Sequence, residues 1–175
     1  DFRPDAILLS ITTPSLDQDL KAATLAKKIN PETLTLAKGA HFTLKDRETM
    51  EQFPDMDGVL RGEYENTCRE LGEGRSLSGI KGLTWRSGDE IIQNEARGYE
   101  SHLDEFPFPA RHLTRNDLYI RPDTGELQTT LVTNWGCPHT CIYCLTQQVS
   151  GSKNGYRSEE NVDAEIRECV GQYRI

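Results

Sequence analysis

The sequence is short of positive charge: 20 lysines and arginines stand against 28 aspartates and glutamates, a net charge of −8. No run of five basic residues occurs, so there is no electrostatic footprint for nucleic acid. Long apolar runs are missing as well. Stretches such as Ala6 to Leu9 fall far short of the ~20 residues that cross a bilayer, and no membrane partner is expected. The opening residues, Asp1-Phe2-Arg3-Pro4, lack the charged-then-apolar pattern of a secretory signal. Cysteines are few, five in 175 residues, odd in number and partly clustered. That excludes a secreted disulfide framework and points to a reducing, cytoplasmic setting. No internal repeat or low-complexity tract is present. The chain starts without Met and stops just after an expected helix, so it is expected to be an N-terminal piece of a longer protein.

What the sequence does have is one concentrated motif. Thr133-Asn134-Trp135-Gly136-Cys137-Pro138-His139-Thr140-Cys141-Ile142-Tyr143-Cys144 carries three cysteines in eight residues, spaced C-x-x-x-C-x-x-C. Thiolates this close can face one centre, and soft sulfur ligands favour iron–sulfur clusters, zinc or copper(I). Three ligands are one short of a closed cluster or structural zinc site, which leaves one metal position open for a small molecule. A zinc site would need a fourth ligand. His139 lies inside the loop, badly placed to turn back, and Cys169 is distant in sequence.

Around this motif the pattern alternates. Residues 5–11 read as a buried strand. A helix starts at Ser15 with Ala22, Leu25, Ala26 and Ile29 as its apolar face. Residues 33–37 form the next strand and 38–41 a turn. Residues 46–53 form a short helix, 58–61 a third strand, and about 63–71 a helix stopped by Gly72. Such alternation predicts an α/β layer on a parallel sheet, with ligands at the carboxyl ends of the strands: Ser10 to Thr12, Lys38 to His41, and Gly62-Glu63. A hairpin follows over 79–94, turning at Ser87-Gly88-Asp89. Residues 98–116, rich in proline and charge, read as an extended linker. Strands are expected at 118–121 and 126–133, the second leading into the cysteines. The last helix begins at Ser158, with Glu159 and Glu160 in its first turn and Val162, Ile166, Val170 and Tyr173 as its apolar face. Strand, loop and helix make one βα unit of a barrel. His41, Cys68 and Cys169 are expected in structural roles.

The C-x-x-x-C-x-x-C loop, with Tyr143 before its last cysteine, resembles the cluster loop of radical S-adenosylmethionine (SAM) enzymes. Residues 58–65, Gly-Val-Leu-Arg-Gly-Glu-Tyr-Glu, resemble the Gly-Glu turn of those members that carry an N-terminal cobalamin (B12)-binding domain. Leu103 to Arg111 resembles their linker, and Arg157-Ser158-Glu159-Glu160-Asn161-Val162 resembles the entry to their first barrel helix. The resemblance covers essentially the whole chain. It implies a [4Fe–4S] cluster on Cys137, Cys141 and Cys144, with SAM on the remaining iron and Tyr143 against its adenine. It also implies cobalamin at Ser10, Thr12, Gly39, Gly62 and Glu63. The chain departs from that pattern at Lys38, where the family has glycine, and lacks the family's histidine-bearing loop.

The expected architecture is a partial Rossmann-like cobalamin-binding domain with a hairpin (1–97), a linker (98–117), and the start of a TIM-like radical SAM barrel (118–175). The resemblance implies radical methyl transfer, or carbon-skeleton and ring-closing chemistry, on a small-molecule substrate, with a flavodoxin or ferredoxin as electron donor. The isolated chain is expected to be inactive. Two other readings stay open. Methylthiotransferases of the radical SAM class carry a second cluster on three N-terminal cysteines, whereas only Cys68 precedes Cys137 here. A non-enzymatic zinc or interaction module is the other.

Overall fold

The computed structural model describes residues 3–175. The chain folds as two compact units. The first runs through Tyr99 and includes Thr140–Ser150; the second comprises Glu100–His139 and Gly151–Ile175.

The first unit is an α/β layer, as the alternating pattern requires. Its elements are β1 (Ala6–Ser10), α1 (Leu16–Asp19), α2 (Lys21–Ile29), β2 (Leu34–Lys38), α3 (Ala40–Gln52), β3 (Gly58–Leu60), α4 (Glu65–Gly72), β4 (Leu83–Ser87), β5 (Glu90–Gln93) and α5 (Thr146–Ser150). The sheet order is β1-β2-β3-β4-β5. The first three strands are parallel, and the hairpin adds β4 and β5 antiparallel to β3. Apolar side chains on the two faces make two cores. One gathers Ile11, Leu20, Ala23, Phe42, Met50, Met56 and Val59; the other holds Leu36, Leu60, Ile80 and Leu83. Burying a side chain the size of Phe42 or Leu60 contributes about 1.5–3 kcal/mol. Asp57 ties the sheet's amino end: its Oδ2 accepts from the Thr35 amide at 2.7 Å and hydroxyl at 2.8 Å, and pairs with Lys27 at 2.6 Å.

Three expectations for this unit need correction. β1 is not buried through its middle; among the described residues it is the sheet's edge, paired with β2, and Leu8 is exposed. The helical stripe is shifted: Leu20 and Ala23 are buried, while Leu25 and Ile29 face solvent. The turn over 38–41 contracts to Gly39 alone, because α3 already begins at Ala40 and bends at Lys45 (φ −133°, ψ 36°).

The second unit has little regular structure. It contains 3-10 turns at Leu103–Glu105, Arg111–Leu113 and Asn116–Leu118, then β6 (Asn134–Trp135), β7 (Gly155–Tyr156) and α6 (Glu159–Tyr173). The strand expected over 126–133 does not form. A single bridge, Ile120 to Leu127, is present, and residues 128–133 have no ladder partner among the described residues. β6 is two residues long and pairs antiparallel with β7, so strand, loop and helix occur in the expected order, with no parallel partner for β6 among the described residues. Residues 98–116 are likewise not a plain extended tether, since Arg111 is only 4% exposed. The Ser158 cap is present: its hydroxyl accepts from the Asn161 amide at 3.1 Å. The buried side of α6 carries Glu165 and Cys169, whereas Ile166 and Val170, expected as its core face, are exposed. Among the described residues no helix is long and apolar enough to cross a membrane.

Candidate functional site

The strand-end residues share one edge of the sheet. Ser10 lies opposite Lys38, and Lys38 opposite Leu60, so the carboxyl ends of β1, β2 and β3 are level. Ser10 and Thr12 follow from β1, Gly39 from β2, and Gly62 and Glu63 from β3. Gly39 is indispensable to this edge. Its φ is +138°, and a Cβ there would stand 2.2 Å from the Ile11 carbonyl oxygen. The Ile11 amide in turn donates to the Lys38 carbonyl at 3.0 Å, which locks the two strand exits together. Gly62 also has positive φ (+69°), and its amide donates to the Thr43 hydroxyl at 2.9 Å. Thr12 turns its hydroxyl to Ser15 at 3.1 Å, the local capping role available to a strand-end hydroxyl.

Lys38, the departure from the family pattern, places its ammonium 3.8 Å from the centre of the Tyr64 ring. A cation over an aromatic face is held there by the ring quadrupole. His41 has a structural place. Thr49 donates its hydroxyl to the Lys45 carbonyl at 2.6 Å, so at 3.1 Å it accepts from His41 Nε2–H, and Nδ1 faces the Thr13 hydroxyl at 3.1 Å. Cys68 packs on the Leu36–Leu60 core; burial, reinforced by Glu65 and opposed by Lys38, pushes its thiol up.

The cysteine segment is built differently. Gly136 turns with φ +84°, and the Cys137 amide donates to the Gly151 carbonyl at 3.1 Å within the second unit. In the first unit the Cys144 amide donates to the Cys141 carbonyl at 3.1 Å, closing a tight turn around Ile142 and Tyr143. That turn buries nothing: Ile142 is 102% and Tyr143 86% exposed. The Cys144 sulfur lies 3.1 Å from the Thr146 hydroxyl, and Thr146 side-chain and backbone hydrogen bonds hold this thiol below its ordinary value. Cys137, Cys141 and Cys144 are all free thiols. Among the described residues no three His, Cys, Asp or Glu side chains converge as a metal site. The donor set nevertheless fits a cluster chemically: three uncrosslinked sulfurs on one short segment, one of them biased toward the thiolate that ligation requires. Cys169 is buried in the second unit, its thiol raised by burial, in keeping with a packing role.

Sequence reading missed several contributors. Thr43 and Thr146 act only through contacts that folding creates. Glu165 carried one faint signal: it shares a helical stripe with Asn161 and Cys169, at i, i+4 and i+8, on the side that proves buried.

Residues 1–72 match the B12 binding domain family. An uncharacterized methyltransferase, PH0819, of Pyrococcus horikoshii is 31% identical over 178 residues, covering 99% of this chain and 38% of the relative. The cobalamin-dependent radical SAM methyltransferase TokK of Streptomyces tokunonensis is 26% identical, covering 81% of this chain and 22% of the relative. The fold is similar to that of the radical S-adenosylmethionine methyltransferase TsrM from Kitasatospora setae, solved with cobalamin and a [4Fe-4S] cluster bound. There the TM-score is 0.65 at 15% identity, over 99% of this chain and 36% of that one. The chain therefore spans well under half the length of each.

Proposed function

We propose that the protein is a radical SAM enzyme using cobalamin for methyl transfer to a small-molecule substrate, a reading supported by the match of residues 1–72 to a B12 binding domain and by the similarity to methyltransferases. Cys137, Cys141 and Cys144 would hold a [4Fe–4S] cluster. When bound, the cluster would supply the electron for cleaving SAM, and cobalamin would supply the methyl group. The chain's own residues bind and orient. Thr146 favours the thiolate form of Cys144. Tyr143, with its ring free of the core, is available to stack on adenine. Cobalamin would lie at the edge formed by Ser10, Thr12, Gly39, Gly62 and Glu63, where Gly39 lets the β1 and β2 exits close against each other and so shapes that edge. A flavodoxin or ferredoxin delivers the electron. Carbon-skeleton or ring-closing chemistry on the same cofactors is the competing outcome, separated by product analysis.

One observation carries the reading: three free thiols in C-x-x-x-C-x-x-C spacing on a chain whose first 72 residues match a B12 binding domain. Within the given residues Cys68 precedes Cys137, and it packs on the core. Anaerobic reconstitution with iron and sulfide is the test. The expected result is a brown protein whose chromophore depends on sulfide and disappears in Cys141→Ala. Stoichiometric zinc without a sulfide-dependent chromophore overturns the assignment.

A further inference from the structure

We propose that Arg111, Glu165 and Arg157 form a positioning device that fixes the segment leading into Cys137; its purpose rests on the cluster assignment above. The observation behind it is how residues 128–133 satisfy their backbone. With no ladder partner among the described residues, their carbonyls need other donors. Arg111 Nη2 donates to the Thr130 carbonyl at 3.2 Å, and its Nε to the Thr129 hydroxyl at 3.3 Å. Arg157 Nη1 donates to the Val132 carbonyl at 3.0 Å, and its backbone amide to the Thr133 carbonyl at 2.9 Å. Two guanidiniums thus stand in for a neighbouring strand.

Both are held by one carboxylate. Glu165, 1% exposed, accepts from Arg111 on Oε1 at 2.6 Å and from Arg157 on Oε2. Arg157 is steadied further by Asn161 Oδ1 at 2.6 Å and by the Phe108 ring, 5.5 Å away. In each arginine one terminal nitrogen, Nη2 of Arg111 and Nη1 of Arg157, donates both to the carboxylate and to a backbone carbonyl, while Nε reaches a further side chain, Thr129 or Asn161, a spread of donors that a single ammonium nitrogen cannot reproduce. Cys137 follows Thr133 by four positions, past β6 and the Gly136 turn. A ligating sulfur needs sub-ångström placement, and that placement is inherited from the backbone ahead of it.

The experiment compares the chain with Glu165→Gln, which keeps the shape and removes the charge. Hydrogen exchange is measured on the metal-free protein, then iron and sulfide content and the electron paramagnetic resonance signal after reconstitution. Glu165→Gln is expected to speed amide exchange over residues 130–137 about tenfold or more, to load iron about tenfold less tightly, and to broaden the reduced-cluster signal. If Glu165→Gln loses its helical circular dichroism, Arg157→Lys is measured instead, with the same expectations. Unchanged exchange over 130–137 overturns the device. Faster exchange with full loading and an unaltered signal overturns its link to the cluster. A wild-type chain that takes up no sulfide-dependent iron sinks the proposed function instead, and the exchange data still decide the positioning role.

Discussion

The carboxyl edge of the sheet and the cysteine segment are both glycine-containing turns beside chemistry-bearing residues, yet they are held in opposite ways. Around Gly39 the packing is tight enough to leave no room for a methyl group, and Phe42, three residues on, is 0% exposed. Between Cys141 and Cys144 a turn of the same size leaves Ile142 and Tyr143 in solvent. The strand edge is shaped before any ligand arrives, because hydrophobic burial stabilises it. The cysteine turn draws almost nothing from burial, so under the proposed cluster assignment ligation of its sulfurs would set its final shape. Metal ligation coupled to local ordering is the expected behaviour of such a segment.

The widest separation between the two regions is expected from paired aromatic deletions. Phe42→Ala removes a fully enclosed ring and should cost about 3–5 kcal/mol, whereas Tyr143→Ala should stay within about 0.5 kcal/mol of wild type. Urea unfolding of the metal-free chain measures both. A Tyr143→Ala loss approaching that of Phe42→Ala would show that the cysteine turn is pre-packed after all. Next in size is Gly39→Ala. The added Cβ meets backbone rather than a movable side chain, at a φ that L-residues avoid. A cost of about 2–3 kcal/mol is expected, together with weaker uptake of hydroxocobalamin on gel filtration. Unaltered stability would mean that the β1 and β2 exits separate easily.

The same contrast explains what could be read in advance. The three parallel strands of the first unit, the hairpin turning at Gly88, and the Ser158 cap were legible because each is written in adjacent residues. The three cysteines stood out in the sequence as one spaced motif, and the structure leaves all three as free thiols. Helix faces were less so. A 3.6-residue period reports that a stripe is apolar, not that something covers it, and Leu25, Ile29, Ile166 and Val170 all remain in solvent. The expected strand over 126–133 failed because a strand needs a partner, and its carbonyls found arginines instead. Arg111 and Glu165 are 54 positions apart, and nothing local announces that pair.

The smallest expected effect probes the second unit's own electrostatics. Asp104 accepts from the Ser158 backbone amide at 2.9 Å, at the N-terminus of α6. Hydrogen bonds from the Ser158 hydroxyl and amide, with a lesser pull from Arg157, hold its carboxyl below the usual range. A carboxyl depressed by folding contributes its full stability above the unfolded value, about 4, and loses it as pH falls through the lower folded value. Asp104→Asn keeps an acceptor oxygen but discards the charge that favours the helix N-terminus. Wild type should therefore melt slightly above Asp104→Asn at neutral pH, and the two should converge in acid. Because the group is exposed, the gap should also shrink with added salt. Thermal melts of both proteins between neutral and acid pH decide it. A gap that stays constant with pH would mean that Asp104 acts through shape alone, leaving the Ser158 hydroxyl to cap α6 without electrostatic help.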